Sequence, residues 1–190
     1  MACTEVPMTR VIRWFLERRL RAVERAQGIS LAYLRGMLRV SPPHFLAFME
    51  IMPLARFRRA LPPEAYHLAR IVTARHEDCG TWMTMEVHLA TRAGVSAALI
   101  HTILDEAPCA LPPDLAEVYF FTQAVATGSG EEDLWREAIF RRYGDVGGVE
   151  LSMAIAVSRL FPTVTHAMGC AAPCVPSNTQ FEALGRNRQG

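Results

Sequence analysis

The chain has 190 residues, enough for one domain with a sizeable core and short for two. Hydrophobic residues make up 51% and charged residues 21%, which excludes a disordered composition, and the formal net charge of +1 gives no bulk argument for nucleic acid or an anionic membrane. No apolar run approaches the roughly 20 residues that span a bilayer, no signal-peptide core follows the N-terminus, and five widely spaced cysteines do not read as a disulfide framework, so a reducing cytoplasm is the expected location.

Apolar residues recur at helical spacing along the whole chain. Val11, Ile12, Phe15, Leu16, Leu20 and Val23 predict a first helix, with arginines largely around the stripe and Gly28 as its stop. Glu17 and Glu24 interrupt those arginines, which suits a solvated or inter-subunit helix face. A second helix fits residues 30–40. Ser41-Pro42-Pro43 starts a third, predicted to reach about Phe57 with a kink or stop at Pro53. Leu61-Pro62-Pro63-Glu64 opens a fourth, to about Arg75. Asp78 is placed to cap a fifth, ending at Gly94, and Ser96 to cap a sixth, to about Asp105. Leu111-Pro112-Pro113-Asp114 opens a seventh, which Gly128-Ser129-Gly130 separates from an eighth. A ninth covers about 147–160 and is predicted to stop at Phe161-Pro162. No segment alternates as a strand should. The expected fold is therefore an all-α bundle of about eight or nine helices, a single domain over 1–175 followed by a flexible tail over 176–190.

The stretch richest in chemistry is Arg75-His76-Glu77-Asp78-Cys79-Gly80-Thr81-Trp82 with the helix that follows it. A cysteine in the first turn of a helix faces the positive end of the dipole, which favours thiolate, while Glu77 and Asp78 push the other way. The plain alternative for Cys79 is a small buried residue at a helix start. Cys79, Trp82, Met83, Glu86 and Ala90 share one stripe, expected to be the packed one. Glu86 would then be an acid in apolar company, where burial raises a carboxyl pKa and makes a general acid or base. The alternatives are a Glu86 rotated to solvent or paired to an arginine. His67, twelve residues before Cys79, would face its end if the two helices form a hairpin, or be an ordinary half-buried histidine. His76 is read as a loop residue at the site mouth, and His88 as a surface group. His166, Cys170 and Cys174 are spaced by four, but Pro173 breaks the geometry and no fourth ligand is evident, so no metal and no other cofactor is expected.

The block EDCGTW with HLATRAGVSAALI, preceded by LPPEAYHLARIVTA, resembles the core helix pair of the alkylhydroperoxidase D / carboxymuconolactone decarboxylase family. The blocks ALPPDLAEVYFFTQAVATG and WREAIFRRYGDVGGVELSMAIAVSRLFPTVTHAMG are similar to the second half of its longer members, and RVIRWFLERRLRAVERAQGIS to their N-terminal helix. The resemblance spans roughly residues 10–174. It implies two cysteines three apart and a histidine four residues after the second. Cys79 matches the first; Trp82 stands in place of the second, and Glu86 in place of the histidine. The acid that completes the relay on the preceding helix falls at His67. A local disulfide at 79/82 is thereby lost, and with it standard two-cysteine peroxidase chemistry. Decarboxylase members do not use the cysteine pair. The first expectation is accordingly acid–base chemistry on a small organic acid or lactone, of decarboxylase, lyase or isomerase type. Glu86 and His67 would move protons, and Cys79, Trp82, Met83 and His76 would line the site. Two alternatives stand beside it: a one-cysteine thiol peroxidase using Cys79, resolved by Cys170, Cys174 or an external thiol, and a non-catalytic relative in which Trp82 fills the old cavity and the surface serves binding or assembly. The resemblance also implies a homo-oligomer, with neither nucleic acid nor membrane as partner.

Overall fold

The computed structural model describes residues 10–78 and 80–170, with the side chain of Gln27 left aside. These residues form eight helices and no strand: α1 (Arg10–Gln27), α2 (Ala32–Val40), α3 (Pro42–Met49), α4 (Pro63–His76), α5 (Gly80–Arg92), α6 (Ala97–Leu104), α7 (Pro113–Thr127) and α8 (Glu132–Ala167), with short 3-10 turns at Leu54–Arg56 and Pro108–Ala110. Cys79, Cys174 and the tail over 176–190 lie outside the described residues. No helix among the described residues is long and apolar enough to cross a membrane.

α4 is the axis of the fold. Every residue from Ala65 to Ala74 is buried, because α5, α6, α7 and α8 all pack on it. A helix covered on all sides must be apolar on all sides, and YHLARIVTA nearly is. Pro63 and Pro113 each open their helices near the first helical position, where the missing N–H costs nothing. Ser96 caps α6, its hydroxyl accepting from the Leu99 amide at 3.2 Å. Asp78 does not occupy the extended conformation of an N-cap: its φ is 45°, and it turns the corner between α4 and α5.

The interior divides in two. One cluster joins α4, α5, α6, α7 and the first half of α8 around Leu68, Ile71, Ile100, Val118, Ile139 and Leu151. The other joins α1, α2 and α3 to Trp82 of α5 and to Val157 and Phe161 of α8. α8 serves both because it is made of two helical segments, the predicted eighth and ninth helices, that meet at a break at Gly144 (φ 68°, ψ 174°), a conformation essentially restricted to glycine. Beyond the break the packing is close. A Cβ on Gly148 would sit 2.6 Å from the Phe140 ring, and one on Gly147 equally close to the Tyr143 Cβ. The helix also runs through Phe161-Pro162 to Ala167 and does not stop there. Both residues are buried, and that packing offsets the amide bond that proline cannot make. The predicted third helix ends sooner than expected, at Met49, with Pro53 in the turns that follow.

Candidate functional site

Burying α4 on every side forces a choice on Arg70, which sits in mid-helix and is 2% exposed. A guanidinium cannot shed its charge, so it must find acceptors. The partner is Glu86, 1% exposed on α5. Arg70 Nε donates to Glu86 Oε2 at 2.7 Å and Nη2 to Oε1 at 2.5 Å, a two-pronged pair that uses both carboxylate oxygens. Nη1 donates to the Ala55 carbonyl at 3.0 Å and to the Tyr66 hydroxyl at 3.2 Å, and that hydroxyl donates to the same carbonyl at 3.1 Å. Burial alone would lower the Arg70 pKa, but the Glu86 carboxylate and its hydrogen bonds outweigh it and hold the group protonated more firmly than usual. Burial likewise pushes the Tyr66 hydroxyl up, against the pull of Arg70. Glu86 is thus not a lone acid among apolar side chains. Of the readings open to it, the structure shows pairing to an arginine.

His67 is buried on the same helix, its ring edge-on to Tyr66 at 5.2 Å between centroids. Desolvation, with the charges of Arg70 and Arg58 added, lowers its pKa from 6.5 to about 4. It is a neutral imidazole at neutral pH, and its Nδ1 is buried without a hydrogen-bond partner among the described residues.

Trp82 is buried as wall, not lid. Its ring stacks on Phe161 at 4.7 Å and meets Tyr33 edge-on at 5.9 Å, and its indole N–H donates to Thr165 Oγ1 at 3.0 Å. Met83, the next residue, packs in the other cluster among α4, α6 and α7 residues. The α5 stripe is therefore buried but divided between two cores. His76 is the last residue of α4 and is exposed. The corner preceding Cys79 is clamped from α8: Arg159 Nε donates to Glu77 Oε1 at 2.8 Å, and His166 Nε2 lies 2.9 Å from the Glu77 carbonyl. Cys170 forms no disulfide among the described residues. No group of three or more His, Cys, Asp or Glu among the described residues is arranged to hold a metal ion.

A second buried carboxylate escaped the sequence reading. Glu150 of α8 accepts from the backbone amides of Arg59, Ala60 and Leu61 at 2.7, 2.9 and 3.1 Å, fixing the loop that leads into α4. Desolvation raises its pKa, but the three amides and Arg58 together outweigh that and leave it below the usual carboxylate value. The sequence holds one hint of each missed partner: Arg70 is the lone charge inside YHLARIVTA, and Glu150 the lone charge inside VGGVELSMAIA.

No protein-family model matches this chain, and a search of curated proteins finds no relative.

Proposed function

We propose that the chain is an alkylhydroperoxidase D / carboxymuconolactone decarboxylase-like protein that has given up redox turnover and acts by binding or assembly. One observation carries this reading: the carboxyl at the position of the family's histidine is closed off by Arg70 through both oxygens, with neither side chain more than 3% exposed. A substrate proton would have to displace a guanidinium that is itself held by Ala55 and Tyr66. The tryptophan at the second-cysteine position supports the same reading, since its ring is committed to Phe161, Tyr33 and Thr165.

A second reading, acid–base chemistry on a small organic acid or lactone, is favoured by one feature, the Nδ1 of a neutral His67, which has no hydrogen-bond partner among the described residues. That nitrogen is a proton acceptor in search of a donor. The experiment is steady-state turnover of an alkyl hydroperoxide with a dithiol, and of a panel of lactones and β-keto acids, by wild type, Cys79→Ala, Glu86→Gln and His67→Gln. The binding reading expects no turnover above background for any of the four. Turnover that survives Cys79→Ala and disappears in Glu86→Gln or His67→Gln establishes the acid–base reading instead. Peroxide consumption that disappears in Cys79→Ala establishes a one-cysteine peroxidase.

A further inference from the structure

The net charge of +1 averages over an uneven distribution. Residues 10–39, which cover α1 and nearly all of α2, carry eight arginines and two glutamates. Both glutamates are already engaged: Glu17 faces Arg13 at 3.9 Å, and Glu24 faces Arg35 at 3.4 Å and accepts the Leu31 amide at 2.7 Å. Arg10, Arg18, Arg19 and Arg39 have no carboxylate partner among the described residues. Arg18 lies instead over the Trp14 ring, 5.4 Å from its centroid. A groove of about 640 Å³ runs beside that ring, with Arg18, Arg21, Arg25 and the two engaged glutamates in its wall.

The same region exposes apolar side chains. Val11, Ile12, Trp14 and Phe15, in the first turns of α1, are each about half exposed or more. Val11 and Phe15 lie on the side of the helix away from Leu20, which is buried. Arg18 and Arg19 follow Val11 and Ile12 two turns further along the same face, so cations border the apolar tip. The Arg13 guanidinium donates to the Arg39 carbonyl at 3.0 Å, and at the other end of α1 Glu24 holds the Leu31 amide, so α1 and α2 run antiparallel. Val40, the last residue of α2 and 81% exposed, therefore lies at the Val11–Phe15 end with Arg39 beside it.

We infer that this end of the α1–α2 pair seats on the surface of an anionic phospholipid bilayer. Val11, Ile12, Phe15 and Val40 enter the boundary of the acyl chains, Trp14 lies at the level of the headgroups, and the surrounding arginines reach the lipid phosphates. Other partners answer half of the surface. Nucleic acid would neutralise the arginines and leave the apolar tip in water. A second copy presenting the same patch would cover the tip and set arginine against arginine. An anionic bilayer offers hydrocarbon and negative charge in one face. The contact is superficial, since no helix among the described residues is long and apolar enough to cross. It departs from the expectation, drawn from the net charge and the resemblance, of no membrane partner. It is also separate from any turnover in the interior, since no residue of the Arg70–Glu86 network takes part.

Co-sedimentation of the full chain with phosphatidylcholine vesicles, with and without phosphatidylserine, tests this at low and high sodium chloride. Wild type is expected to pellet with the phosphatidylserine vesicles and to weaken as salt is raised. Arg18→Glu with Arg19→Glu should lower partitioning on the order of tenfold or more at low salt, with a smaller difference at high salt. Val11→Ser with Phe15→Ser should lower it on the order of tenfold or more at either salt. All four positions are exposed, so both variants should keep the wild-type circular-dichroism melt. Quenching of tryptophan emission by brominated acyl chains decides the point without those variants. It should be strong in wild type and largely lost in Trp14→Phe, because Trp82 is buried. The inference is overturned by equal binding to neutral and anionic vesicles, by no binding, by a folded variant that binds as wild type does, or by quenching that Trp14→Phe leaves unchanged. Arginine-dependent binding of single-stranded RNA in place of vesicles overturns it as well.

Discussion

Glu86 and Glu150 are both glutamates on helices, both nearly removed from water, and each belongs to a different solution of the same problem. Glu86 meets a side-chain cation, so a second charge had to be buried to receive it. Glu150 meets three backbone amides at the entrance to α4. The first arrangement ties two side chains of α4 and α5, and can in principle be replaced as a unit by apolar residues. The second satisfies the main chain itself, and no apolar side chain can stand in for it. A buried acid in this fold is therefore a device for joining elements before it is a candidate for proton transfer.

The largest expected effect separates the two. Arg70→Met leaves a buried carboxylate without its cation, and should cost about 3–5 kcal/mol of unfolding free energy in urea melts. Adding Glu86→Leu should recover most of that loss, because the pair is then replaced by packing, although Tyr66 and Ala55 lose a donor. A double variant as unstable as the single one would show that the ion pair is not a separable unit. The contrast with Glu150 would then fail.

His67 gives the next effect, and it sharpens the Arg70 side of the comparison. Its folded-state pKa of about 4 lies below its ordinary 6.5. The unfolded chain therefore binds the proton first as pH falls, and stability declines between about pH 6.5 and pH 4. Linkage places the loss at roughly 2 kcal/mol by pH 5. Thermal melts of wild type and His67→Phe at pH 7 and pH 5 check this: the wild-type midpoint should fall over that interval more than that of the variant. Equal falls would mean that His67 is protonated in the folded state, which the nearby charge of Arg70 opposes.

What the sequence revealed and what it withheld follow from the range of the forces involved. Helix starts at Pro42, Pro63, Ser96 and Pro113 were legible because they depend on a few neighbouring residues. The division of α8 at Gly144 was legible as the boundary between the predicted eighth and ninth helices, but its run through Pro162 was not, because proline reads locally as a breaker and only the burial of Phe161 and Pro162 shows that it is tolerated. The site divides in the same way. The burial of Trp82, Met83 and Glu86 on one stripe was readable from spacing. The choice between a free and a paired Glu86 was not, since Arg70 lies sixteen residues away on another helix. Nor does spacing say that Trp82 and Met83 enter different cores, because that depends on where α1–α3 dock.

The smallest effect is the one that tests the backbone cradle directly. Glu150→Gln keeps the shape and one acceptor oxygen and removes the charge, so the amides of Arg59, Ala60 and Leu61 lose the assistance of an anion. The cost should be about 1–2 kcal/mol at pH 7. Its pH dependence identifies the cause. The folded-state pKa of Glu150 lies below its unfolded value of 4.5, so its contribution is present above that value and is lost as pH falls through the folded-state pKa. Wild type and Glu150→Gln should therefore differ at pH 7 and converge as pH falls through the folded-state pKa of Glu150. The His67 decline, by contrast, is well under way at pH 5, where the difference at Glu150 is still nearly whole. A difference that persists unchanged after Glu150 is protonated in the folded protein would assign the loss to altered packing against Leu61, and not to the charge that the three amides receive.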